Sequence, residues 1–122
     1  MQQRKLTWSR LLPFQTTSID SMDVSKSGAY RLSFKSDDDR AYVFYVSASD
    51  DLKTSLQSHL NETTNVCIKN YVDTKTCFFR YALIDDKDVL AATIRQAYRH
   101  YVPACNAGAP EGSAPDIEVN LT

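Results

Sequence analysis

The chain has 122 residues, of which 43% are hydrophobic and 24% charged, and its formal net charge is −1. This length predicts one domain with its own core, and the near-neutral charge argues against strong non-specific binding of nucleic acid, which depends on excess positive charge. No apolar run approaches the ~18 residues of a membrane span, so we expect no membrane partner.

The sequence contains three cysteines, Cys67, Cys77 and Cys105. Their odd number and irregular spacing match neither a disulfide framework nor a zinc pattern, so we expect reduced, mostly buried thiols. A Cys67–Cys77 pair is an alternative that the spacing does not support. Residues 1–10 lack the apolar run of a signal peptide, and this indicates, together with reduced thiols, a cytoplasmic protein.

The predicted elements begin after an N-terminal arm, residues 1–17, which packs on the domain through a few apolar anchors. Every second side chain of residues 29–34 is apolar, and this alternation indicates a strand. Residues 41–47 are almost continuously β-branched or aromatic, as in a central strand that is buried on both faces. The polar residues 36–40 join the two runs into a hairpin.

Two amphipathic helices are predicted after the hairpin. The first has Ser49 or Asp50 as its N-cap, and leucines recur at every fourth position from Leu52. The second begins with the acidic residues of 85–88, which suit the positive end of a helix dipole, and it ends before Pro103.

The rest of the pattern completes a small domain that spans residues 18–107. Residues 66–76 are predicted to be short and helical or irregular, and residues 76–83 form a third strand. Residues 108–122 lack periodicity and are predicted to be a flexible tail. The order β-β-α-short-β-α predicts an α+β fold, with a small three-stranded antiparallel sheet flanked by helices.

Two tripeptides and a closing tetrapeptide occur in an order that is typical of one nuclease family. Gly28–Tyr30 reads Gly-Ala-Tyr, and Tyr45–Ser47 reads Tyr-Val-Ser and continues into a Ser-x-x-Leu sequence. From residue 103 the chain reads Pro-Ala-Cys-Asn. In this order the chain resembles the GIY-YIG nucleases. The resemblance implies the predicted fold and a metal-dependent cleavage of phosphodiesters by a tyrosine, an arginine and a metal-binding glutamate.

The family's site positions fall on Tyr30, Tyr45, Ser55 and His59 of this sequence. Ser55 stands where the family has its catalytic arginine, and a short hydroxyl cannot replace a guanidinium fork on a phosphate. The glutamate position falls within residues 92–94, Ala-Thr-Ile, none of which is acidic. The resemblance therefore implies a pseudoenzyme without a metal site or cofactor. Mg²⁺ is needed only if other ligands restore cleavage.

Three functions stay open at this point. The net charge favours an inactive interaction or assembly module that binds an unidentified protein. The first alternative is a module for DNA or RNA, with phosphate contacts from Lys53, Arg95 and Arg99. The second is a weak endonuclease with relocated metal ligands. A simpler interpretation makes the two tyrosines packing residues and His59 a hydrogen-bonded structural histidine.

Overall fold

The computed structural model describes residues 2–22, 26–61, 63–106 and 117–122, and in these ranges it is an α+β structure. The strands are β1 (Gln2–Arg4), β2 (Leu12–Pro13), β3 (Gly28–Lys35), β4 (Ala41–Ser49), β5 (Cys77–Leu83) and β6 (Ile117–Val119). The helices are α1 (Thr16–Asp20), α2 (Leu52–Asn61), α3 (Val66–Thr74) and α4 (Lys87–Tyr101). No helix in these ranges is both long and apolar enough to cross a membrane.

An antiparallel sheet with the strand order β2-β5-β3-β4 forms the centre, and β1 and β6 form a separate parallel pair. The predicted α+β class is confirmed, and β3, β4 and β5 lie where the sequence pattern indicated strands. The predicted sheet of three strands is a sheet of four, because β2 pairs with β5. Two residues are too few to produce an alternating pattern, so no sequence pattern predicted β2.

The prediction that residues 41–47 form a central strand, buried on both faces, is wrong. β4 lies at the edge of the sheet, whereas β3 pairs on both sides and is buried at residues 28–33. Arg31 and Ser33 are buried polar residues, only 5% and 2% exposed, and they make a buried strand look half-exposed in the sequence. The alternation of apolar and polar residues in β3 thus reflects the polarity of the side chains and not their exposure to solvent.

The side chains of β3 alternate between two cores. On the first face, which we call the Tyr30 face, Tyr30 and Leu32 pack with apolar residues of α1, α2 and α3. On the second, the Arg31 face, Ala29 packs with residues that include Val89 of α4 and Val119 of β6. The sheet thus separates α4 from the other three helices.

Gly28 marks the point where β3 begins under α2. A Cβ atom at this position would overlap the backbone oxygen of Ala82 and would lie 2.9 Å from Cδ1 of Leu52. The backbone of Ala82 belongs to the neighbouring strand and cannot move aside easily. Close packing therefore requires glycine as the first residue of the first tripeptide.

Side-chain caps begin the two main helices. The carboxylate of Asp51 accepts the N–H of Thr54 at 3.0 Å and caps α2. The predicted caps, Ser49 and Asp50, precede the true one, and Ser49 still belongs to β4. Asp86 caps α4 because its carboxylate accepts the N–H groups of Asp88 and Val89 at 2.8 and 3.2 Å.

Two further expectations are wrong, and long-range packing is the reason in each case. Cys67 and Cys105 form a disulfide, and Cys77 is a buried free thiol. The pair is 38 residues apart, and only folding brings α3 beside the segment that follows α4. The predicted flexible tail is wrong for Ile117–Val119, which pairs with β1. The rest of that prediction up to residue 116 lies outside the described residues.

Candidate functional site: the Tyr30, Tyr45 and His59 cluster

The pairing of β3 with β4 places the two motif tyrosines on the same face of the sheet. Tyr30 lies opposite Ser47, and Leu32 lies opposite Tyr45. Phe44 is an extra residue of β4 at a bulge, where the register shifts. Because of this bulge, the consecutive residues Phe44 and Tyr45 both turn toward the Tyr30 face.

Three aromatic rings meet where α2 crosses this face. The hydroxyl of Tyr30 and Nε2 of His59 are 2.7 Å apart. The ring centroid of His59 lies 5.7 Å from that of Tyr30 and 5.2 Å from that of Tyr45, and the two tyrosine rings are 6.2 Å apart. Tyr30 is buried and the other two side chains are half-buried. The structure therefore brings three of the four predicted family positions together.

Burial favours the uncharged forms of Tyr30 and His59 by shifting the pKa of each side chain. Desolvation raises the pKa of Tyr30 well above its usual value; the proximity of Tyr45 adds to the rise and a hydrogen bond with Ser47 opposes it. Desolvation also lowers the pKa of His59 below its usual value of 6.5. The Tyr30 hydroxyl and Nε2 of His59 share one hydrogen bond, and the tautomer of the imidazole decides which of the two atoms donates.

Ser55, the fourth predicted position, makes its hydrogen bond elsewhere. Its Oγ is 2.5 Å from Oγ of Ser49, which also accepts the N–H of Asp51 at 3.0 Å. The two hydroxyls join the end of β4 to the first turns of α2. Ser55 therefore has a local structural partner at the position where the family has an arginine.

The three basic residues predicted to contact nucleic acid do not line the cluster together. Nζ of Lys53 donates to the carbonyl of Asp20 at 3.3 Å and so links α2 to α1. Arg95 and Arg99 belong to α4, which packs on the Arg31 face. The sheet lies between Lys53 and the two arginines.

No carboxylate is among the contacts that the structure gives to Tyr30, which are with Tyr45, Ser47 and His59. The predicted glutamate position lies on α4, where Ala92 and Thr93 are buried on the opposite side of the sheet. Within the described parts of the chain, no group of three or more His, Cys, Asp or Glu residues could hold a metal ion.

A narrow cleft of 110 Å³ opens beside the cluster, lined by His59, Asn61, Lys69 and Asp73 among others. Sites for small ligands usually measure about 300–1,000 Å³. A wider cleft of 600 Å³ lies along β1 and β6, where it has no contact with the tyrosines. Among the described residues, the cleft beside the cluster is therefore smaller than the usual site for a small ligand.

Three polar residues near the cluster make contacts that the sequence did not predict. Ser47 and Ser49 contact Tyr30 and Ser55, and their spacing of two and four residues from Tyr45 places them on its face of the strand. The amide of Asn106 donates to the carbonyl of Val46 at 2.8 Å and accepts its N–H at 3.0 Å. The closing asparagine thus anchors the second tripeptide through its backbone.

Comparisons with family models, with curated proteins and with solved structures find no match for this chain. The resemblance to GIY-YIG nucleases therefore depends on the motifs themselves, and membership of the family stays a prediction.

Proposed function

We propose that this chain is a GIY-YIG-like domain without nuclease activity and that it works as a protein-interaction module. The observation that most supports the proposal is the pairing of Ser55 with Ser49 at 2.5 Å. This contact places a neutral hydroxyl, already hydrogen-bonded, at the position where the family's chemistry needs a phosphate-binding cation. The three-stranded core β5-β3-β4, followed by α4, is the family arrangement that the proposal assumes.

The cluster lacks the charges that phosphodiester hydrolysis requires. Cleavage develops negative charge on the phosphate, which a cation and a metal ion stabilise. Tyr30 and His59 form a neutral pair that can accept or donate a proton but cannot compensate that charge. Loss of one preorganised stabilising group costs about 10²–10³ in rate, so loss of both leaves almost no activity.

The distribution of surface groups favours a protein as the partner. The net charge is −1, and Lys53 lies across the sheet from Arg95 and Arg99. Val66 and Val102 are each 71% exposed and stand close in sequence to the two disulfide cysteines. Exposed apolar side chains suit a protein surface better than a phosphate backbone.

A nicking assay tests the absence of catalysis. The protein is incubated with supercoiled plasmid and either Mg²⁺ or Mn²⁺, and Tyr30→Phe serves as the matched variant. We expect neither protein to nick the plasmid above the level of buffer. Nicking by the wild-type chain that Tyr30→Phe abolishes would show that the cluster is catalytic and would refute the proposal.

A salt titration separates a protein partner from a nucleic acid. Affinity for a short DNA or RNA duplex is measured by fluorescence anisotropy from about 20 to 200 mM salt, a range over which several phosphate contacts change affinity by orders of magnitude. We expect no saturable binding at the lowest salt. Binding that falls steeply with salt and weakens in Lys53→Ala would support the nucleic-acid module instead.

A further inference from the structure

The main chain of the C-terminal segment, residues 117–122, is bound by a strand and by a side chain. Ile117–Val119 pairs in parallel with β1. The carboxamide of Gln96 in α4 donates to the carbonyl of Ile117 at 2.6 Å and accepts the N–H of Val119 at 3.2 Å. A peptide strand that adds to the edge of a sheet is bound in the same way, through its main chain.

Two more carbonyl groups of the segment accept hydrogen bonds from side chains that are distant in sequence. Nε1 of Trp8 donates to the carbonyl of Asn120 at 2.9 Å, and the guanidinium of Arg31 donates to the carbonyl of Leu121. Arg31 is buried, so the domain directs a buried cation at the main chain of the segment. Because every residue has a carbonyl group, these contacts fit any extended chain.

Two side chains of the segment add sequence specificity. Val119 is buried in an apolar cluster that includes Leu6, Ala29 and Val89. The carboxamide of Asn120 accepts the N–H of Leu6 at 2.6 Å and donates to its carbonyl at 2.8 Å. An aliphatic residue followed by asparagine is therefore the sequence that this part of the domain recognises.

The segment can leave without disruption of the central sheet. Of the six residues 117–122, Val119 alone is buried, and Glu118 and Thr122 are exposed. The cleft of 600 Å³ lies along the segment, and β6 does not belong to the four-stranded sheet. Departure of the segment thus uncovers the place of one aliphatic side chain and a set of polar groups that water can solvate.

The connection to the segment, residues 107–116, lies outside the described residues. Its sequence contains Gly108, Pro110, Gly112 and Pro115, a composition that is common in linkers. A covalently connected ligand has an effective concentration of about 1 mM, so it fills its own site unless a stronger ligand competes.

We propose that β1, Trp8, Arg31 and Gln96 form a groove that binds an extended strand of a partner protein, with the sequence aliphatic-x-aliphatic-Asn-aliphatic, and that Ile117–Leu121 is its resident ligand. The resident sequence, Ile-Glu-Val-Asn-Leu, defines the chemistry of the partner, because the same groups of another chain can make each of these contacts. The partner strand displaces the resident one and pairs with β1 in its place.

The groove rests on the proposed function only in that it gives an interaction module a binding surface. It lies on the Arg31 face, whereas the tyrosine cluster lies on the opposite face of the sheet. A groove that binds no peptide leaves the absence of nuclease activity unchanged, and a chain that nicks plasmid leaves the groove unchanged. The two proposals therefore fail in different experiments.

The first test separates the segment from the domain without removing it. A protease recognition sequence is inserted between Ala109 and Pro110 of the full chain and is cut after purification. A fluorescein-labelled peptide of residues 113–122 is then titrated and followed by anisotropy. We expect saturable binding to the cut chain, by exchange with the released segment. Binding to the uncut chain should be about tenfold weaker or more, because its own segment competes.

Variants of the labelled peptide test the recognised side chains without any effect on folding of the domain. The Asn120→Ala peptide loses two hydrogen bonds and should bind about tenfold more weakly. The Glu118→Ala peptide is the matched control, because Glu118 is exposed, and it should bind as the parent peptide does. Equal binding of the two variants would overturn the assigned specificity.

Variants of the cut chain test the groove itself. Gln96→Leu removes both hydrogen bonds to the main chain of the segment and should weaken binding of the labelled peptide by about tenfold. Arg99→Gln is the control on the same helix, since Arg99 is exposed, and it should leave the affinity unchanged.

Hydrogen exchange of the intact chain gives a second measurement. The amides of Leu6 and Val119 bond to the side chains of Asn120 and Gln96, and departure of the segment frees both amides. We expect them to exchange about a hundredfold faster than the amide of Leu32 in the central strand, because the segment leaves without global unfolding. Equal rates, a cut chain that unfolds by circular dichroism, or a labelled peptide that does not bind would overturn the proposal.

Light scattering of the intact chain identifies the source of the strand. We expect a monomer, because the resident segment fills the groove of its own chain. A dimer that excess peptide dissociates would show that a second copy supplies the strand, and it would overturn the assignment to a partner protein.

Discussion

Tyr30 and Arg31 are neighbours on β3, both are buried, and the two faces of the sheet accommodate them in opposite ways. Tyr30 buries a hydroxyl, whose partners include Nε2 of His59 at 2.7 Å and the side chain of Ser47. Arg31 lies with its guanidinium 4.8 Å from the ring of Trp8 and 5.0 Å from that of Tyr101, and it donates to the carbonyl of Leu121. A buried charge costs far more than a buried hydroxyl, so it requires several partners.

The partners of the two residues come from different distances along the chain. Residues of α2, the helix that directly follows the hairpin, pack on the Tyr30 face. The Cys67–Cys105 disulfide closes this face. The Arg31 face draws on both ends of the chain, which meet where β1 pairs with β6. The first face thus combines a helix that follows the hairpin directly with a long-range disulfide, whereas the second depends on the pairing of the two ends of the chain.

An asparagine side chain takes the place of a neighbouring strand at two points of the fold. Asn106 contacts both backbone groups of Val46, and Asn120 does the same to Leu6, at 2.6 and 2.8 Å. A carboxamide has one donor side and one acceptor side, so it pairs with a peptide group as a neighbouring strand would. Two late segments of the chain are thus each joined to the domain through one asparagine side chain.

Replacement of Arg31 should cause the largest change in the free energy of unfolding among the variants that compare the two faces. We expect Arg31→Ala to lower the free energy of unfolding by about 3 kcal/mol, because two ring contacts and a charged hydrogen bond are lost. Arg31→Met should cost less, since it fills a similar volume without a buried charge. Urea denaturation measures both. A loss below about 0.5 kcal/mol in Arg31→Ala would contradict the assigned role.

Removal of the Tyr30 hydroxyl should have a smaller effect. Tyr30→Phe leaves Nε2 of His59 without its partner in a half-buried place, so we expect a loss of about 1–2 kcal/mol. A double-mutant cycle with His59→Phe should give a coupling of about 1 kcal/mol. Additive losses in the cycle would mean that the hydrogen bond contributes nothing.

Val102 connects α4 on one face to Cys105 on the other, and its strain can be relieved. It is 71% exposed and has φ of 46°. We expect Val102→Gly to raise the midpoint of thermal unfolding, with a gain of about 0.5–1 kcal/mol after the entropy of glycine is allowed for. Val66→Gly is the control, because Val66 is equally exposed but begins a helix, and this change should destabilise.

The smallest expected effect is a pH dependence of the Tyr30 face. The pKa of His59 is lowered by burial in the folded chain and returns toward 6.5 on unfolding. Below pH 6.5 the unfolded chain therefore takes up a proton first, and stability falls until the lowered folded pKa is passed. Denaturation from pH 8 to 5 should show this loss. His59→Phe should reduce it, whereas a change of the exposed His100 to Gln should preserve it.

The disulfide also changes what the cysteines indicate about the location of the protein. The expectation of a cytoplasmic protein used reduced thiols as one of its reasons. That reason does not hold for Cys67 and Cys105, which are bonded to each other. Disulfides persist in oxidising compartments, so the location stays a prediction without this support.

The sequence by itself determined those parts of the protein whose signals are local. Leucines at every fourth position produced α2, β-branched and aromatic runs produced the strands of the hairpin, and the motif order indicated Tyr30, Tyr45 and His59, which the fold brings together. For the helix and the strands, neighbouring residues contain the periodicity that decides which side chains share a face, whereas the three cluster positions came from the family resemblance.

Only the tertiary structure decided which strand is central, which cysteines pair and how the ends of the chain join. β3 is central although Arg31 interrupts its apolar pattern, because Trp8 and Tyr101 arrive from distant segments to cover the charge. The disulfide and the β1–β6 pair likewise join residues that are far apart in sequence. Local pattern reports the polarity of a side chain, whereas its partners depend on the packing of the whole chain.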